Sequence, residues 1–254
     1  MRRTLVWFAF PAFLLWAPAC SHADLRELEL TYLRSAVSPD LLQYASIEIP
    51  AIENIRQGTD PQGNHLELRT YRGQPLKNGG VRAEISIDYP FQDGDTVRYS
   101  WRMMLPADFV SDAPANRWWL VAQWHDQPDR TRGETWSGYP AHSPSVGLGY
   151  GQLAGQDTLS LLYGAPDPGP GGLIPISRGA WHAISVEITW STGARGKVRV
   201  FIDGSKTPAR EASGRNMYNT FQHYMKLGMY RQPDIRGDTW IYIGGVTIQR
   251  LPPS

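Results

Sequence analysis

Apolar and polar residues alternate in short runs along most of the chain, and clusters of Gly, Pro, Asn and Asp separate the runs. A period of two marks a strand with one buried face. The pattern predicts strands over 65–71, 81–89, 96–105, 117–125, 158–163, 181–190, 197–203, 224–230 and 239–249. About a dozen short strands at this spacing suggest a sandwich or jelly roll. Residues 25–35 fit a short helix, yet Leu28, Leu30 and Tyr32 also alternate, so both readings stand. The segment 164–179, with Pro166, Pro168, Pro170 and Pro175, predicts an ordered surface loop or lid. A second long loop, 126–144, carries Arg130, Arg132, Trp136, Tyr139 and His142. No repeat or long linker divides the chain, and 24–254 are expected to form one domain.

The first 23 residues differ from the rest. Arg2 and Arg3 precede an apolar run from Leu5 to Trp16, followed by the small residues Ala17, Ala19 and Ala23. This is the pattern of a secretion signal. The run falls short of the roughly 20 apolar residues of a membrane-spanning helix and ends at Pro18. Two cleavage points fit: before Cys20, as in a bacterial lipoprotein whose Cys is lipidated, and before Asp24. An exported bacterial protein is expected, periplasmic, anchored to the outer membrane through Cys20, or secreted. Cys20 is the one cysteine, so the folded part forms no internal disulfide.

Charge narrows the partners. The chain has 25 basic and 24 acidic residues, and loss of Arg2 and Arg3 leaves it close to neutral. Such a balance argues against nucleic acid. Only Lys77, Lys197, Lys206 and Lys226 are lysines, the other basic residues being arginine. Arginine's planar fork matches carboxylates, a hint of an acidic ligand.

Three strands place functional polar groups on one face. In 81–89, Arg82, Glu84 and Ser86 oppose Ala83, Ile85 and Ile87; in 117–125, Gln123 and His125 oppose Ala122 and Trp124. In 224–232, Tyr224, Lys226, Gly228, Tyr230 and Gln232 oppose Met225, Leu227 and Met229, while Arg231 falls on the apolar side. Side by side in one sheet, these faces would form a floor, with Gly228 leaving room for a sugar ring. The same alternation also suits an ordinary half-exposed sheet.

The residues Arg82-Ala-Glu84-Ile85, Gln123-Trp-His125 and Tyr224-Met-Lys226-Leu-Gly228-Met-Tyr230-Arg-Gln232 resemble the three signature strands of jelly-roll polysaccharide lyases of the alginate lyase type. Gln123-Trp-His125-Asp126 and Lys226-Leu-Gly228-Met-Tyr230-Arg231 are more similar to the heparin lyase I and glucuronan lyase relatives. The resemblance implies an all-β, concanavalin-like jelly-roll sandwich of two antiparallel sheets. Its concave cleft would bind an anionic polysaccharide and cleave it by β-elimination beside a uronic acid. By resemblance, Gln123 and Arg82 neutralise the uronate carboxylate. His125, Tyr230 or both abstract the C5 proton, and Tyr230 protonates the leaving O4. Glu84, Tyr224, Lys226 and Gln232 complete the expected substrate-binding set, Glu84 mainly as a partner for Arg82 and Lys226 at a neighbouring subsite.

The near-neutral charge favours glucuronan or alginate over sulfated, heparin-like glycans. No Gly-x-Ser-x-Gly elbow, phosphate loop or paired metal-ligand spacing appears among His65, His125, His142, His182 and His223. No acidic pair of the glycosidase kind stands out. No cofactor is expected. Calcium, structural in some relatives, finds no dense Asp and Asn loop here. A monomer is expected, with no membrane contact beyond a lipid on Cys20. The alternative function is a non-catalytic surface protein that holds a polysaccharide on the same fold, with Trp118, Trp119, Trp136, Tyr139 and Trp240 as stacking candidates.

Overall fold

A computed structural model describes residues 22–252; most of the secretion-signal segment, including Cys20, lies outside them. Fourteen strands among the described residues form two antiparallel seven-stranded sheets. The first sheet runs β1 (Ala45–Glu48), β4 (Val81–Ile87), β13 (Tyr224–Arg231), β6 (Trp119–His125), β7 (Val146–Leu153), β8 (Gln156–Tyr163), β9 (Gly169–Pro175). The second runs β12 (Arg210–Ser213), β11 (Lys197–Ile202), β10 (His182–Thr189), β5 (Thr96–Met104), β14 (Thr239–Leu251), β3 (Gly63–Thr70), β2 (Ile55–Asp60). This is the expected jelly-roll sandwich, and its inner faces supply the core. Ala83, Ile85 and Ile87 of β4, Trp124 of β6, and Met225, Leu227 and Met229 of β13 are all buried between the sheets. Burying such side chains contributes roughly 1.5–3 kcal/mol each, which pins the register: a one-residue slip would bring Arg82 and Glu84 inward.

All nine predicted strands form, with ends shifted by at most two residues. The segment 25–35 resolves as helix α1 (His22–Leu33). Five strands, β1, β2, β7, β9 and β12, lie outside the predicted set, and two of them show why. In β7 the polar half of the pattern is glycine (Gly147, Gly149, Gly151), which resembles turn sequence; at Gly149 a Cβ would meet Ser160 Oγ at 2.7 Å. The expected loop 164–179 contains β9, whose Pro170 is tolerated because β9 is an edge strand paired only with β8.

Candidate active site

The register brings the three polar faces together. On β13, Lys226 lies between Ser86 of β4 and Gln123 of β6, Tyr230 pairs with Arg82, and Tyr224 pairs with His125. Above them opens a cleft of about 950 Å³, lined among others by Arg82, Gln123, His125, Tyr224, Lys226 and Tyr230. Its floor is not the solvated face of a half-exposed sheet. Arg82 is 7% exposed, Gln123 2% and Lys226 5%, because the 126–144 segment (His142, Trp136) and Pro168 wall the cleft.

One chain of contacts crosses the floor. The Arg82 guanidinium carbon sits 4.1 Å from the centre of the Tyr230 ring. Its Nη1 donates to Glu84 Oε2 at 3.3 Å, and Gln123 Nε2 donates to Glu84 Oε1 at 2.6 Å. Burial raises the Glu84 carboxyl above its ordinary value, with Lys226 and Arg82 pulling the other way. Glu84, placed in the expected substrate-binding set mainly as a partner for Arg82, is 1% exposed: it lies under the floor, bonded to Arg82 and Gln123, and holds the two donors in place.

His125 stands at the other end, beside Tyr224, their rings stacked at 5.8 Å. Tyr224 and Tyr230 are six residues apart, about 20 Å along an extended strand. Both His125 nitrogens meet acceptors. Nδ1 donates to the Asp126 carbonyl at 2.9 Å with Asp126 Oδ1 at 3.0 Å, and Nε2 donates to the His142 carbonyl at 2.9 Å. Two donated bonds require the imidazolium. Burial lowers the proton affinity of His125, but the bonds to Asp126 outweigh it and hold the group above its ordinary value. Asp126 is fully buried and also accepts from Tyr139 Oη at 2.7 Å and from His142 Nδ1. Burial would raise its carboxyl; the bonds from His125, Tyr139 and His142 hold it down at about 2.

Gln232 does not join the site. β13 ends at Arg231, and the Gln232 side chain turns away to Asp234 at 3.0 Å. Arg231 is buried on the core side, where burial pushes its guanidinium down to about 10. Gly228 is glycine for a backbone reason rather than to admit a sugar. Its φ is +140° at a bulge, and a Cβ there would meet Ala83 O at 2.3 Å. Of the aromatic candidates, Trp118 and Trp136 are exposed and line the cleft, Trp119 is buried in the core, and Trp240 packs under Arg56 on the other sheet.

Sequence reasoning missed Glu48. It lies opposite Glu84 on β1 and accepts from Lys226 Nζ at 2.8 Å and Asn78 Nδ2 at 2.9 Å. Only the strand register reveals it. Among the described residues no group of three or more His, Cys, Asp or Glu could hold a metal ion.

A cleft that sets buried donors, tyrosines and exposed indole rings on one sheet of a jelly roll is built for a sugar polymer. The family model described as polysaccharide lyase matches residues 51–247, and the chain belongs to that family. It is a polysaccharide lyase. Its fold is similar to that of an endo-β-1,4-glucuronan lyase from the fungus Trichoderma reesei (16% identity, 76% of this chain and 85% of that one, TM-score 0.55). A family 7 alginate lyase in complex with substrate is similar at 13% identity (83% and 94%, TM-score 0.58). A marine alginate lyase from Zobellia galactanivorans shows 14% identity (79% and 82%, TM-score 0.53). No curated protein sequence matches the chain.

Proposed function

We propose that the enzyme cleaves a non-sulfated uronan, glucuronan or a mannuronate-containing alginate, by β-elimination on the floor between Gln123 and Tyr230. The observation that carries this reading is the continuous run Tyr230, Arg82, Glu84, Gln123. Arg82 and Gln123, already aimed by Glu84, take the uronate carboxylate and stabilise the enolate that forms when C5 loses its proton. Tyr230 removes that proton, with Arg82 as the cation a phenolate base requires beside it. The C5–H electrons form the C4=C5 double bond, the C4–O4 bond breaks, and O4 leaves with a proton from Tyr230. His125, with both nitrogens engaged, offers no lone pair to act as a base and contributes positive charge beside Gln123. Cleavage of glucuronan or alginate is consistent with the activities that the similar structures carry in their names.

A single tyrosine serving both steps needs C5–H and O4 on the same side of the ring. D-Glucuronate and D-mannuronate have that configuration; L-guluronate does not. The test is ultraviolet absorbance of the new double bond when purified protein meets glucuronan, mannuronate blocks, guluronate blocks or heparin, with Tyr230→Phe as control. Signal on the first two, absent in the variant, is the expected result. Cleavage of guluronate blocks alone, or full activity in Tyr230→Phe, would refute the assignment. Export through residues 1–23 belongs to the same reading, and the mass of the mature N-terminus separates lipidation at Cys20 from cleavage before Asp24.

A further inference from the structure

We infer that Glu48 is a specificity-determining residue that restricts the subsite around Lys226 to sugars presenting hydroxyls and turns away sulfate. The inference rests on the uronan reading above and deepens it. Glu48 belongs to none of the three signature strands, yet its carboxylate lines the cleft with a side chain 15% exposed. One oxygen, Oε2, takes Lys226 Nζ at 2.8 Å and Asn78 Nδ2 at 2.9 Å and faces Arg82 Nη1 at 3.6 Å. Among the described residues, the other oxygen, Oε1, has no hydrogen bond.

The consequence is electrostatic. Lys226 and Arg82 are the cleft cations that Glu48 faces, with His125 and Arg130 farther along the lining, and Glu48 stands against both while Glu84 stands under Arg82. Directly opposed carboxylates on neighbouring strands repel, so Glu48 and Glu84 are stable together only with these cations between them. An incoming anion must therefore compete with a carboxylate already placed on its cations. A single uronate can be met by Gln123 and Arg82, but a sulfate at the next position finds Lys226 occupied and a partly buried negative charge beside it. A sugar hydroxyl instead finds Oε1 as an acceptor.

The test compares glucuronan with chemically sulfated glucuronan, so that backbone and length are constant. Binding is measured by calorimetry for wild type, Glu48→Gln and the double variant Glu48→Gln/Lys226→Gln. Wild type should prefer the unsulfated polymer. Glu48→Gln should bind the sulfated one about tenfold more tightly than wild type does, with a steeper salt dependence, and the double variant should lose the gain. Tighter binding of the sulfated polymer by wild type overturns the inference without any variant having to fold. So does a folded Glu48→Gln with unchanged preference, even where glucuronan is cleaved. Binding of neither polymer by any of the proteins overturns this inference together with glucuronan as the substrate, and the absorbance assay on mannuronate blocks then decides the uronan reading separately.

Discussion

Replacing Asp126 by Asn removes one buried negative charge at almost constant volume and tests how His125 is held. The carboxylate faces donors from His125, Tyr139 and His142 and is fully buried. An amide keeps one acceptor and turns an NH2 toward groups that donate. A carboxyl held at about 2 instead of its ordinary 3.8 stabilises the folded state by roughly 2 kcal/mol at neutral pH, since each tenfold change in proton affinity corresponds to about 1.4 kcal/mol. An unsatisfied buried donor adds about 1–3 kcal/mol to the loss. The pH dependence has a defined sign. Asp126 binds its proton more weakly when folded, so its contribution is complete above about 3.8 and is lost as pH falls toward about 2. His125 binds its proton more tightly when folded, so its contribution is complete below about 6.5 and is lost as pH rises through its folded value. The stability gap between wild type and Asp126→Asn should therefore be widest between about pH 4 and 6.5. Urea unfolding followed by tryptophan fluorescence measures it at a series of pH values. A gap below about 0.5 kcal/mol, or one that stays constant across the series, would show that the carboxylate does not hold this network.

Two further outcomes follow from the floor. Gly228→Ala forces a Cβ onto Ala83 O at φ +140° and should cost about 3 kcal/mol or more in urea unfolding, whereas a cost under about 1 kcal/mol would mean the bulge can relax. Trp118 is exposed and meets the Tyr230 ring edge-on at 4.8 Å; Trp118→Ala should raise KM about tenfold on the cleaved polymer with kcat changed by less than about threefold, and the reverse split would assign the indole to positioning Tyr230.

What the chain's sequence disclosed, and what it hid, divides along physical lines. Strands β4 and β13 were legible because their apolar halves, Ala83-Ile85-Ile87 and Met225-Leu227-Met229, are unbroken and their other halves are chemically distinctive. β7 was hidden because glycine, with no side chain to mark a face, takes its alternate positions; a neighbour approaches closely at Gly149, where Ser160 fills the space of a Cβ. β9 was hidden because its prolines are permitted only by an edge position, a property of the sheet rather than of the segment. Within the site, alternation identified the face of each residue but not its depth. Glu84 and Lys226 share a face with Tyr230, yet Glu84 is a buried prop and Lys226 is already bonded to Glu48. Glu48 itself precedes the first motif by more than thirty residues, and only pairing with β4 brings it opposite Glu84.

The location of Glu48 has an evolutionary consequence. The central strands β4, β13 and β6 are each bonded on two sides, and their cleft residues share backbone with core residues that tolerate little change. β1 is four residues long and pairs with one strand only, its outer edge meeting the side chains of Arg26 and Glu29 from α1. A mutation at its last residue alters the charge offered to the polymer by releasing Lys226, while every residue of the reacting strands keeps its identity. In such a design the choice of polymer can drift at the margin of the sheet, with the chemistry conserved at its centre.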